Sequence, residues 1–173
     1  MTLAATTSGV DETRDLAAAV AGLARPGDVL LLAGDLGAGK TAFTQGFARG
    51  LEVDEPVTSP TFTLARTYTG RLRLHHVDVY RLDHLQEAID MGLAEMIDDG
   101  AVTVVEWGDV VAPALPAEFL EVRLAYGGGD DERTVDVRPV GPYWSARSRA
   151  LRAALAPWAA GVGHGGDGGG APC

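Results

Sequence analysis

The sequence predicts an α/β domain in which helices cover a central, mostly parallel sheet and an antiparallel hairpin extends it. Three observations carry that prediction. Val29-Leu30-Leu31-Leu32-Ala33 and Ala101-Val102-Thr103-Val104-Val105 are short apolar runs of the kind that parallel strands show when both faces are buried. Segments with helical spacing separate the two runs, which is the alternation of an α/β sheet. Finally, Gly34–Thr41 joins the first run directly to a helical pattern over Thr41–Ala48, so strand, glycine-rich turn and helix follow without a gap.

Before the first run, Ser8-x-x-Asp11 has the form of a capping box. Leu16, Val20, Leu23 and Ala24 then repeat at helical spacing until Pro26-Gly27 ends the segment. After the glycine-rich turn and its helix, Gly50 and Pro56 punctuate the chain. A β-rich stretch is expected from Val57 to Tyr68, with a turn at Thr69-Gly70 and a return strand from Leu72 to Val79. Leu85, Ala88, Ile89, Leu93, Met96 and Ile97 give an apolar face to a helical region interrupted near Gly92. Phe119–Tyr126 and Thr134–Val140 flank Gly127-Gly128-Gly129-Asp130-Asp131 as two strands joined by a turn. Tyr143–Ala156 is read as one helix, Leu151 and Leu155 inward and Arg147, Arg149 and Arg152 largely outward. Residues 1–160 are expected to form a single domain and 161–173 a glycine-rich disordered tail.

With 173 residues, 46% of them hydrophobic and 22% charged, the chain has enough apolar surface for one core. It has no secretory leader pattern at its N-terminus and no apolar run of membrane-spanning length, so a cytoplasmic location without membrane association is expected. Cys173, alone, supplies neither a disulfide framework nor a metal cluster. A net charge of −10 argues against a broad grip on nucleic acid, which requires clustered cations, so any RNA is expected to be held through a partner.

The chemistry concentrates in Gly34-Asp35-Leu36-Gly37-Ala38-Gly39-Lys40-Thr41, a complete G-x-x-x-x-G-K-T loop that holds the only lysine of the chain. Glycines let backbone N–H groups converge on phosphate oxygens, the lysine reaches the outer phosphates and the threonine hydroxyl serves a magnesium ion. The helix N-terminus adds its positive end. In its strand–loop–helix context the motif predicts a P-loop NTPase-like fold with nucleotide at the strands' carboxyl ends. Hydrolysis also needs an acid at the end of a neighbouring strand. Glu106 follows the second apolar run and Asp78 follows a shorter, more polar strand; both are candidates, with a surface or turn acid as the competing reading. Thr58-Ser59-Pro60-Thr61 offers hydroxyls suited to sensing a terminal phosphate, or ordinary loop hydroxyls. His75 and His76, adjacent on a strand, face opposite sides and cannot easily share a metal. Trp107 is either a stacking surface or a core residue.

Taken in order, GDLGAGKT, VTSPTFTL, HHVDVYRL and VVEWGD resemble the TsaE (YjeE) family of bacterial ATPases over roughly residues 8–142. The resemblance implies an accessory ATPase in tRNA threonylcarbamoyladenosine biosynthesis, with ATP and Mg2+ as cofactors and TsaD-like and TsaB-like proteins as partners. It further implies that Lys40 contacts the ATP phosphates, Thr41 and Glu106 hold magnesium, Asp78 serves hydrolysis, Thr58–Thr61 is a switch-like loop and Trp107 lies beside nucleotide or partner. Turnover without partners is expected to be slow, because no motif carries an obvious arginine finger; Arg81 or a partner's arginine remains a candidate. Three rivals stand beside this reading. A guanine-nucleotide switch needs a second lysine-bearing motif that the chain lacks. A small-molecule kinase shares the loop but needs an acceptor pocket. A module that uses ATP only to become ordered needs no turnover.

Overall fold

In a computed structural model the described residues are 1–60, 64–79, 85–106 and 112–161. They form a seven-stranded sheet with helices on both faces. In chain order the elements are β1 (Leu3–Thr7), α1 (Val10–Ala21), β2 (Val29–Ala33), α2 (Lys40–Gly50), β3 (Ala65–Thr69), β4 (Arg73–Asp78), α3 (Leu85–Asp90), α4 (Leu93–Ile97), β5 (Val102–Glu106), β6 (Phe119–Tyr126), β7 (Arg133–Val140), α5 (Pro142–Ser145) and α6 (Ser148–Leu155). The spatial order is β1-β7-β6-β2-β5-β4-β3. The centre, β6-β2-β5-β4, is parallel, and antiparallel partners close both flanks.

Both apolar runs are strands at this centre, paired with each other from Val29↔Thr103 to Leu32↔Glu106. Alternation along β2 divides its side chains between two cores. Leu30 and Leu32 pack with Leu16, Val20, Phe43, Phe47, Leu151 and Leu155 from α1, α2 and α6, while Val29 and Leu31 pack with Ala88, Leu93 and Ile97 from α3 and α4. Burial on both faces is why these strands read as unbroken apolar runs. Close contact of α1 with α2 depends on Gly46, where a Cβ would lie 2.1 Å from the Arg14 carbonyl oxygen.

Several local expectations change. The helix α1 starts after Gly9, and the Ser8 backbone N–H donates to Glu12 at 2.8 Å, whereas Asp11 pairs with Arg14. The reciprocal box the sequence spacing suggested does not form: the N-cap is Gly9, without a side-chain cap, and only the Glu12 carboxylate reaches back, to Ser8 N–H. Residues 57–60 carry no strand, and the hairpin begins at Ala65. Gly92, at φ +83°, divides α3 from α4, and Ile89 is exposed rather than facing the core. The helix expected over 143–156 is two helices. Between them Arg147 turns inward, its guanidinium donating to both carboxylate oxygens of Asp28 at 2.7 and 2.8 Å and stacking over Trp144. The strand β1, which the sequence reading did not include, pairs with β7. Of the expected tail, residues 162–173 lie outside the described residues.

Candidate nucleotide site

The glycine-rich loop leaves β2 at Gly34, whose φ of +144° and close approach to β6 exclude a side chain: a Cβ there would lie 2.3 Å from the Leu124 carbonyl oxygen. Gly39, at φ +110°, is the N-cap of α2. A residue in that left-handed conformation reverses the chain so that the helix starts at Lys40, with its first N–H groups turned toward the loop. Lys40 is 5% exposed, and its ammonium donates to the carbonyls of Gly34 at 2.7 Å and Asp35 at 2.9 Å. Burial holds its pKa below the ordinary lysine value, opposed by the charges of Glu106, Asp78 and Asp35.

A cleft of about 760 Å3 opens beside this loop. Leu36, Gly37, Gly39, Lys40 and Thr41 line one side, and Ser59, Asp78 and Glu106 line another. The sheet explains how residues so far apart in sequence meet. Asp78 ends β4, Glu106 ends β5, and the two are register partners at the carboxyl edge of parallel strands. Alternation then puts His76 on the same face as Asp78, one pleat further in.

Glu106 is 2% exposed. Its Oε1 accepts from His76 Nε2 at 2.9 Å and Thr44 Oγ1 at 3.3 Å. Asp78 Oδ2 accepts from the Ser59 hydroxyl at 3.0 Å. The segment before Pro60 is tied down from several sides: Gln45 donates to Val57 O, Tyr68 Oη accepts from Thr58 N, and Arg66 donates to Thr58 Oγ1. Of the expected switch hydroxyls, Ser59 therefore enters the cleft, whereas Thr58 is engaged with Arg66 and is not part of the lining. Gly34, Asp35 and Ala38 shape the loop behind the lining. Thr61, Arg81 and Trp107 lie outside the described residues.

His75 and His76 do point apart. His75 is held by Thr67 and Asp99, and His76 by Glu106. Among the described residues no group of three or more His, Cys, Asp or Glu is placed to hold a metal. A divalent ion in this cleft would thus need oxygens from a phosphate ligand in addition to Thr41 and Glu106, which is the coordination habit of magnesium. The donor set fits that use: a lysine, a hydroxyl, two carboxylates and a helix N-terminus around one cleft.

The sequence reading missed the other end of the cleft. Ser8 to Thr13, at the start of α1, and Asp131 and Arg133, at the β6–β7 turn, complete the lining. Arg133 stacks on Tyr126, whose hydroxyl donates to Leu36 O at 2.9 Å, so the hairpin braces the loop. The Ser8–Glu12 pattern carried a signal, but only as a helix start; nothing in the chain order ties Arg133 to a loop nearly a hundred positions earlier.

A sequence model of the family described as "Threonylcarbamoyl adenosine biosynthesis protein TsaE" matches residues 7–135. The chain is 46% identical over 132 residues to the tRNA threonylcarbamoyladenosine biosynthesis protein TsaE of Bacillus subtilis, covering 76% of this chain and 82% of that protein. It is 42% identical over 139 residues to the protein of that name from Streptomyces coelicolor, covering 76% and 93%. The crystal structure of Bacillus subtilis YdiB is similar with a TM-score of 0.74 and 39% sequence identity, covering 91% of this chain and 95% of that one.

Proposed function

This chain belongs to the TsaE family of tRNA threonylcarbamoyladenosine biosynthesis proteins, and from that premise we propose that it is an accessory ATPase, binding Mg-ATP and acting on a TsaD–TsaB type complex. The observation that carries the proposal is the convergence of Lys40, Thr41, Ser59, Asp78 and Glu106 on one cleft.

In this reading the loop N–H groups and the Lys40 ammonium bind the phosphates, and Thr41 and Glu106 hold the magnesium ion. The bound ion supplies positive charge to the phosphate oxygens. Asp78, at the strand edge next to Glu106, orients the attacking water and receives its proton, and the Ser59 hydroxyl fixes the carboxylate that does so. Ser8 to Thr13, at the start of α1, and Arg133 complete the cleft lining and would face the nucleoside in this reading. Lys40 reaches phosphate by exchanging its two carbonyl partners for phosphate oxygens, which couples loop shape to occupancy.

The net charge of −10 favours indirect contact with tRNA, through the partner complex. No helix among the described residues is long and apolar enough to cross a membrane. Partner docking is expected to complete a weak hydrolytic site.

The test is magnesium-dependent ATP hydrolysis by the purified chain, alone and with TsaD and TsaB of the same organism, with Lys40→Ala as blank. Slow turnover that partners stimulate, and that the variant loses by about 100-fold or more, supports the proposal. Fast turnover without partners, or phosphate transfer to a small hydroxyl acceptor, overturns it.

A further inference from the structure

We propose that His76 is a positioning residue: through one hydrogen bond it sets the orientation of the Glu106 carboxylate and thereby the magnesium dependence of nucleotide binding. The inference rests on the Mg-ATP reading of the cleft.

Geometry isolates the contact. His76 has no exposed surface, and its Nε2 lies 2.9 Å from Glu106 Oε1. An ionised carboxylate only accepts, so the ring carries its proton on Nε2 in this contact. The other nitrogen, Nδ1, is buried with no hydrogen-bond partner among the described residues. Glu106 is thus the one polar group that His76 serves there. A ring nitrogen buried in this way costs stability, and a purely apolar residue would fill the space between strand and helix without that cost. The gain lies in the single bond the ring does make.

That bond is the firmer of two. Thr44 Oγ1 approaches the same Glu106 oxygen at 3.3 Å, but it also lies 3.0 Å from Lys40 O, and one hydroxyl proton serves two acceptors. Both contacts fall on Oε1, so they fix the rotation of a carboxylate that lines the cleft. His76 comes from β4 and Thr44 from α2, the helix that begins with Lys40 and Thr41. The arrangement therefore fixes Glu106 relative to the helix that carries Thr41, and both residues assigned to the ion line the cleft. Partners behind a metal ligand commonly change metal affinity by about 10-fold to 100-fold when removed.

The experiment titrates a non-hydrolysable ATP analogue calorimetrically into wild type, His76→Ala and His76→Gln, in EDTA and across a series of magnesium concentrations. For His76→Ala, metal-free affinity should stay within about 2-fold of wild type while the half-saturating magnesium concentration rises by about 10-fold or more. His76→Gln, whose amide can donate in place of Nε2, should recover most of that shift. Equal magnesium dependence in all three proteins overturns the inference, as does equal weakening with and without metal. Because His76→Ala could unfold, the imidazole tautomer is read in the wild-type chain by 1H–15N correlation. A proton on Nε2 supports the contact, and a proton on Nδ1 alone overturns it. Failure of the wild-type chain to bind the analogue would instead refute the Mg-ATP reading.

Discussion

Asp78 and Glu106 stand on one rung of the sheet, as register partners at the ends of the parallel strands β4 and β5. Two carboxylates are thereby brought to one edge beside a buried lysine. They are held differently: Asp78 through Ser59 from the segment before Pro60, Glu106 through His76 and Thr44 from the core side. Ser59 thus ties Asp78 to a loop, and His76 and Thr44 tie Glu106 to β4 and α2, the anchors behind the water-orienting and ion-holding roles proposed above.

The seating of the loop helix against α1 should be sensitive to a single methyl group. A Cβ at Gly46 would lie 2.1 Å from the Arg14 carbonyl oxygen and 2.4 Å from its Cα, both backbone atoms that cannot swing aside. Gly46→Ala is expected to lower unfolding free energy by about 1–3 kcal/mol. At Gly129 the first neighbour of a Cβ is a side-chain atom 3.8 Å away, so Gly129→Ala should stay within about 0.5 kcal/mol of wild type. Urea denaturation of the three proteins decides it; equal midpoints for wild type and Gly46→Ala would refute the packing argument.

The pair of Arg147 and Asp28 offers a second stability test. Arg147 is 6% exposed and Asp28 9%, and the guanidinium engages both carboxylate oxygens. Arg147→Ala leaves a buried carboxylate without its counter-charge and should cost about 3–5 kcal/mol. Removing both, in Asp28→Asn/Arg147→Met, should cost less than Arg147→Ala alone, because no unpaired charge remains buried. A double variant that is no more stable than the single one would contradict this account.

Acid sensitivity should be traceable to Asp99. The backbone N–H of Ala101 and then the His75 ring hold its carboxyl below the ordinary aspartate value. A folded-state pKa below the unfolded one means that the unfolded chain binds more protons as pH falls, so the contribution is complete above the unfolded value and lost through the folded one. Asp99→Asn should therefore be less stable than wild type at pH 6–7, with a gap that narrows as pH drops below 3.8. Thermal melts across that range check the sign; a gap that widens toward acid would refute it.

The sequence disclosed the strand–loop–helix unit and both acidic strand ends because each is a local pattern. Unbroken apolar runs mark β2 and β5, and Glu106 is the next residue after its run. The bracing partners were not legible for a different reason. His76 reaches Glu106 only through the parallel register of β4 and β5, Arg133 meets the loop only because β6 pairs beside β2, and Arg147 turns inward only because α5 and α6 are separate. Periodicity assigns a face within one helix, and it failed at Arg147 where the helix breaks. The strand β1 went unread because it is five residues long and Ala4 and Ala5 give it no apolar β-branched run, and pairing with β7 determines its conformation.

In the proposed function, ATP hydrolysis assisted by Asp78, beyond nucleotide binding alone, supports repeated tRNA modification. The deciding measurement is multiple-turnover formation of threonylcarbamoyladenosine in a reaction reconstituted with tRNA, an activated threonylcarbamoyl donor, TsaD, TsaB and either the wild-type chain or Asp78→Asn, with Mg-ATP affinity measured in parallel. The variant is expected to bind Mg-ATP within about 3-fold of wild type while product formation stalls early, hydrolysis having fallen by about 100-fold. A variant that hydrolyses poorly yet sustains modification at the wild-type rate would contradict it, leaving nucleotide as an ordering ligand.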